Sequence, residues 1–159
     1  MLKKTITFEN FDGKEETVVA YFNLSKTECV DLNLEYEKEG GLIGHLKKLI
    51  GDQKDGQVLQ KPAVDFVKLM IEKSYGIRPK DNPSLFLKED EEGKPLFRKF
   101  KQSAAYDKYV YALLSGEEPL DEFAENVLPK INDTQRAEAE KMLKEEGLGE
   151  IVSIGQTES

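Results

Sequence analysis

The sequence predicts an α+β fold, predominantly α, in which an N-terminal β-hairpin packs on a bundle of about five helices. Two observations carry that prediction. The first 24 residues alternate in polarity around a glycine turn, and the residues after them repeat apolar side chains at helical spacing between proline and glycine stops. A length of 159 residues suits one domain able to bury a sizeable core without disulfide or metal. Domain boundaries follow: 1–131 as the folded domain, with the hairpin over 2–24 and the bundle over 25–129, and 132–159 as a polar, acidic C-terminal helix and flexible tail.

In the hairpin, Leu2, Lys4, Ile6 and Phe8 share one parity and Thr5 and Thr7 the other. Val18, Val19, Tyr21, Phe22 and Leu24 form the second β-rich run. Between them, Asn10-Phe11-Asp12-Gly13 carries an Asp-Gly pair suited to a tight turn. Two strands alone are marginally stable, so the hairpin needs a packing partner.

Ser25-Lys26-Thr27-Glu28 reads as a capping box. It predicts a helix running to just before Gly40-Gly41, with Cys29, Val30, Leu32 and Leu34 as its apolar stripe. Leu42, Ile43, Leu46, Leu49 and Ile50 mark one face of the next helix, and residues 52–57 a loop. Pro62 suits the first turn of a third helix, faced by Val64, Phe66, Val67, Met70 and Ile71 and ended by Gly76. Residues 77–95 hold three prolines and the acidic run Glu89–Glu92, which reads as a surface loop with a short extended stretch at Leu85–Leu87. A fourth helix is expected from Leu96 to Leu114, on the spacing of Tyr106, Tyr109, Val110 and Leu113. A fifth follows Pro119 through Leu120, Phe123, Ala124, Val127 and Leu128. Asn132 or Asp133 opens a polar helix to about Glu146.

Composition narrows the function. Formal charge is −8 and charged residues make up 34% of the chain, against roughly 25% in ordinary domains. Nucleic acid is repelled on average, and the basic stretches Lys47-Lys48 and Arg98-Lys99-Lys101 read as solvated helix faces. No signal peptide or membrane span is expected, so a single cysteine, Cys29, fits a reducing cytoplasm.

Catalytic signatures are sparse. His45 is the sole histidine, so a nucleophilic triad would have to be built around it, and zinc would find one His and one Cys. Gly40-Gly41 and Gly44 lack the lysine-serine ending of a phosphate loop. Aligned as calcium loops, the segments around Gly56 and Gly93 both lack the closing glutamate; the second has Lys99 in its place. The expectation is a binding protein with no cofactor and no metal, and not an enzyme.

Taken in order, several short motifs resemble the tail assembly chaperones of long-tailed bacteriophages and prophages of Gram-positive bacteria. They are Lys3-Lys4-Thr5-Ile6-Thr7, Asp12-Gly13-Lys14-Glu15, Tyr21-Phe22-Asn23-Leu24-Ser25 and Gly40-Gly41-Leu42. Tyr75-Gly76, the run Phe100-Lys101-Gln102-Ser103-Ala104-Ala105-Tyr106, and Asn126-Val127-Leu128-Pro129 complete the set. The likeness covers about residues 1–130. The loop 77–94 and the segment after Pro129 are longer than the family pattern, and the second feature is compatible with either a frameshifted product or an added segment.

The resemblance implies a chaperone in the host cytoplasm, absent from the mature virion. It would bind the tape measure protein and keep it soluble while the tail tube assembles. The tail tube protein is a further partner it allows, self-association is left open, and neither nucleic acid nor membrane is expected. A hydrophobic groove would hold the partner's apolar helix face. Candidate groove residues are Phe66, Met70, Tyr106, Tyr109 and Tyr111. The competing reading places the first four in the core, and Tyr111 lies off the apolar stripe. The alternatives are a structural tail component, which would persist in virions, and an acidic regulator of a basic host protein.

Overall fold

The computed structural model describes residues 1–51 and 59–129. The loop expected at 52–57 and the helix and tail expected beyond 131 lie outside the described residues. The chain groups into two compact units: residues 1–24 with the segment ending at Leu128 form one, and the described residues 25–51 belong to the other. Among the described residues there are six α-helices and one three-stranded antiparallel sheet, so the α+β, mainly α, class holds.

In the first unit, β1 (Leu2–Glu9) and β2 (Glu15–Phe22) pair without a bulge, Ile6 opposite Val18 and Leu2 opposite Phe22. Even-numbered residues share the face that meets helices, which is why Ile6, Ala20 and Phe22 are buried while Lys3, Thr5, Thr7 and Val19 are exposed. The hairpin turn is a three-residue loop. The Gly13 amide donates to the Asn10 carbonyl (3.0 Å), and the Asn10 side-chain oxygen accepts from Asp12 and Lys14. Only Gly13 of the Asp-Gly pair takes a positive φ, +78°.

α3 (Lys61–Ser74) begins with Pro62 in its first turn, as expected, but stops before Gly76. Tyr75 and Gly76 leave the helix and form β3 against Phe22 and Tyr21. The chain then folds back, so that Ile77 bridges Leu87 and the Phe86 ring lies where a Cβ on Gly76 would sit. Residues 77–95 are therefore an ordered antiparallel excursion. Its tip, Asp90–Lys94, repeats the hairpin turn bond for bond: Gly93 N–H to Asp90 carbonyl, Asp90 carboxylate accepting from Glu92 and Lys94, Gly93 at φ +82°.

The helix expected over 96–114 is two helices. α4 (Phe97–Lys101) and α5 (Ala104–Ser115) are separated by Gln102 and Ser103. The Ser103 hydroxyl accepts from the Tyr106 amide and donates to the Phe100 carbonyl, so it caps the new helix and satisfies the end of the old one. α6 (Leu120–Val127) follows Pro119, and its Val127 carbonyl accepts from the Leu24 amide (3.0 Å). Phe22, fully buried, sits at the centre of the unit with ring centroids of Tyr75, Phe100, Tyr109 and Phe123 at 5.9, 6.1, 5.5 and 5.7 Å.

In residues 25–51, α1 (Lys26–Glu35) carries the predicted capping box: Ser25 accepts from the Glu28 amide and Glu28 from the Ser25 amide. It ends earlier than the approach to Gly40. A 3₁₀ turn (Glu37–Glu39) follows, and Gly40 and Gly41 both take positive φ at the entry to α2 (Gly41–Gly51). The expected stripe on α1 is only partly inward, since Leu32 is buried whereas Val30 and Leu34 are exposed. The Asn33 side chain accepts from the Leu42 amide (2.8 Å), and the Tyr36 and His45 rings stack at 4.7 Å. Burial lowers the His45 pKa, Glu39 opposing and Lys48 reinforcing the shift.

Candidate functional site

Three helices of the first unit enclose a surface groove of about 380 Å³. α5 supplies Tyr106, Val110, Tyr111 and Leu114 along one wall. α4 supplies Phe97 and Lys101, and α3 supplies Lys68 and Glu72. Helical spacing produces this arrangement. Val110 and Leu114, four residues apart, share a face, and Tyr111 projects beside them toward solvent. The break at Ser103 also matters, because it lets α4 turn Phe97 toward Tyr106, with ring centroids at 5.8 Å.

The groove has an apolar floor and a mixed-charge rim. Phe97 and Val110 are buried, whereas Lys68, Glu72, Lys101 and Asp107 at the rim are exposed. Tyr106 is half-buried, and its pKa is raised by burial and then by the Glu72 carboxylate. Its phenol therefore stays neutral well above physiological pH and can both donate and accept a hydrogen bond. Such a site suits an amphipathic segment with apolar side chains at its centre and charges at its margins. Among the described residues no group of three or more His, Cys, Asp or Glu could hold a metal ion, and no helix is long and apolar enough to cross a membrane.

The five positions singled out from sequence separate clearly. Phe66, Met70 and Tyr109 are interior residues, at 4, 2 and 3% exposure. Tyr109 stacks on Phe22, and burial, followed by the charges of Glu118 and Glu122, pushes its pKa up. Tyr106 and Tyr111 both line the groove, Tyr111 with 66% of its surface exposed. Phe97, Val110, Leu114 and the four charged rim residues were not anticipated as groove residues. Their signal in the sequence is weak, because Phe97 lies across the helix break that the apolar spacing conceals.

A family model described as phage tail assembly chaperone matches residues 1–157. The chain belongs to the phage tail assembly chaperones. No curated protein and no solved structure matches it significantly. Membership in a chaperone family points to a non-enzymatic role in phage tail assembly, with protein partners.

In this tail assembly chaperone the positions that carry the resemblance have structural duties. Phe22 and Leu24 are buried, and the Asn23 and Leu24 amides donate to Ser74 and Val127, which ties the hairpin exit to α3 and α6. Gly76 is the position overlaid by Phe86, Ser103 is a cap, and Val127 is fully buried. These motifs therefore mark joints of the fold, and one of them, Phe100–Tyr106, also gives Lys101 and Tyr106 to the groove.

Proposed function

We propose that this chaperone binds the tape measure protein, a long and largely helical partner, and keeps it soluble until tail tube subunits polymerise around it. The observation carrying this reading is Tyr111. It is a large aromatic, two-thirds exposed, on the wall of a groove floored by Phe97 and Val110. Aromatic side chains at the margin of an apolar hollow are common anchors of protein interfaces. An apolar helix face laid between α3, α4 and α5 would cover Tyr106 and Tyr111, and the rim charges of both signs would set its register. The acidic excess of the chain supports the same role, since net charge discourages association of a complex with its neighbours. The setting of this activity is the host cytoplasm, before the virion is complete, and the tail tube protein is a second partner encountered at the handover.

Co-expression with the tape measure protein, followed by capture on this chain, tests the reading. A stable complex is expected, with the partner becoming insoluble when the chaperone is omitted. Tyr111→Ala should weaken capture about tenfold, in line with an interface anchor, while leaving the melting temperature unchanged. Absence of capture, together with this chain in purified particles, would overturn the proposal.

A further inference from the structure

We infer that β1 is a self-association edge: two copies of this chain join their sheets by antiparallel pairing of β1 with β1, centred on Ile6. The sheet order is β1-β2-β3, and no described strand pairs with the outer side of β1. The ladder direction follows from the bonds at its ends. Asn10 donates to Lys14 across β1 and β2, and Asn23 donates to Ser74 across the β2–β3 side. Alternation in an antiparallel ladder then directs the even-numbered amides of β1 toward β2. The amides and carbonyls of Lys3, Thr5, Thr7 and Glu9 face the outer edge. That edge is eight residues long and carries neither proline nor bulge, two of the usual protections against pairing. An inward-facing lysine is another such protection. Here the Lys4 ammonium is neutralised by Glu118 at 2.6 Å.

The order of charges selects the occupant and its register. With a two-fold axis at Ile6, Lys3 lies opposite Glu9 of the second copy, and Glu9 opposite its Lys3. Thr5 faces Thr7 and Ile6 faces Ile6. About eight inter-chain backbone hydrogen bonds result, two per bonded pair. Moving the axis to Thr5 or Thr7 removes both charge pairs, and parallel in-register pairing sets Lys3 against Lys3.

Two further features agree with the Ile6 axis. Within its own hairpin Glu9 lies opposite Glu15, a like-charge pair that the second copy's Lys3 would relieve. The same register also brings Phe8 of the second copy opposite Lys4, where a hollow of about 160 Å³ runs along Lys4, Ile6, Lys108 and Tyr109.

Sedimentation of the full chain over a range of concentrations tests this, with Lys3→Glu, Glu9→Lys and the double exchange. Both positions are exposed, so folding, followed by circular dichroism, should be unchanged. The unaltered chain is expected to dimerise reversibly. Each single exchange turns two attractive pairs into repulsive ones and should raise the dissociation constant about tenfold or more. The double exchange should restore dimers, and an equimolar mixture of the two single variants should form mixed dimers. A chain that stays monomeric up to about millimolar concentration, the weakest association of interest, would overturn the inference. So would dimers indifferent to the single exchanges, or a double exchange that fails to restore them. Tyr111→Ala should leave the dimer intact, which separates this edge from the groove.

Discussion

Among the described residues, the two units of this chaperone hold together by different means. The unit containing the sheet is organised around one residue, Phe22, in contact with rings drawn from β3, α4, α5 and α6. Residues 25–51 rely on short-range devices: the Ser25–Glu28 box, the Asn33 side chain on the Leu42 amide, two glycines of positive φ, and a Tyr36–His45 stack. The first arrangement depends on distant parts of the chain meeting. The second is assembled largely from residues within ten positions of each other. Loss of a single side chain should therefore be severe in one unit and moderate in the other.

Phe22→Ala is the strongest way to break the contrast. It removes the central ring and leaves a cavity, and should destabilise the protein by about 3–5 kcal/mol in denaturant unfolding. A loss below about 1 kcal/mol, within the range of a surface change, would show that the surrounding rings repack and that Phe22 is not central. Next, Gly76→Ala places a Cβ against the Phe86 ring and 2.7 Å from the Leu87 carbonyl oxygen. Because backbone stands on one side, the expected loss is about 1–3 kcal/mol. Hydrogen exchange should show the Ile77–Leu87 bridge opening first.

Asn33→Ala sharpens the comparison from the other side. It deprives the part-buried Leu42 amide of its acceptor, and should lower stability by about 1–3 kcal/mol, the range for a buried donor left unsatisfied. Faster amide exchange is expected over residues 36–45, with the aromatic unit unaffected.

The smallest effect is a pH dependence. Burial holds the folded His45 pKa below its ordinary 6.5. The unfolded chain therefore takes up the proton first, so the neutral ring's contribution is intact above about pH 6.5 and declines as pH falls. His45→Gln should flatten the slope of stability against pH between 7 and 5, a difference readable in parallel melts.

Much of this is legible in the sequence alone, and the reasons are local. The capping box at Ser25 is a four-residue pattern with one geometric solution, and Pro62 and Pro119 mark helix starts because ring closure presets φ. What escaped detection depends on tertiary contact. β3 is two residues long, too short to carry a period, and exists because Phe22 and Tyr21 offer it an edge. The break at Gln102–Ser103 lies inside a continuous apolar spacing, and Ser103 reads as one more helical residue until its hydroxyl is seen bridging Phe100 and Tyr106. The groove was half legible. Tyr111 stood out as lying off the stripe, whereas Tyr109 shared the stripe with Val110 and went inside.

The two matching turns show the same limit from another angle. Asn10–Lys14 is recognisable because β-rich runs flank it. Asp90–Lys94 uses an identical set of bonds, but its flanking bridges are single pairs, so its acids read as a plain charged run. Of those acids, Asp90 is committed to the backbone and Glu91 extends from the tip into solvent.

The Leu24–Val127 hydrogen bond and the Phe22–Phe123 contact join residues about a hundred positions apart. During translation, at about 5–20 residues per second, the hairpin leaves the ribosome on the order of ten seconds before the last helix that covers it. Cover arrives in stages over that interval: β3, α4 and α5 bring Tyr75, Phe100 and Tyr109 to Phe22 first, and the place of the Phe123 ring stays open until the end. A protein whose family task is chaperoning thus begins its own existence as a nascent chain with an apolar sheet face exposed, and α6 completes the cover.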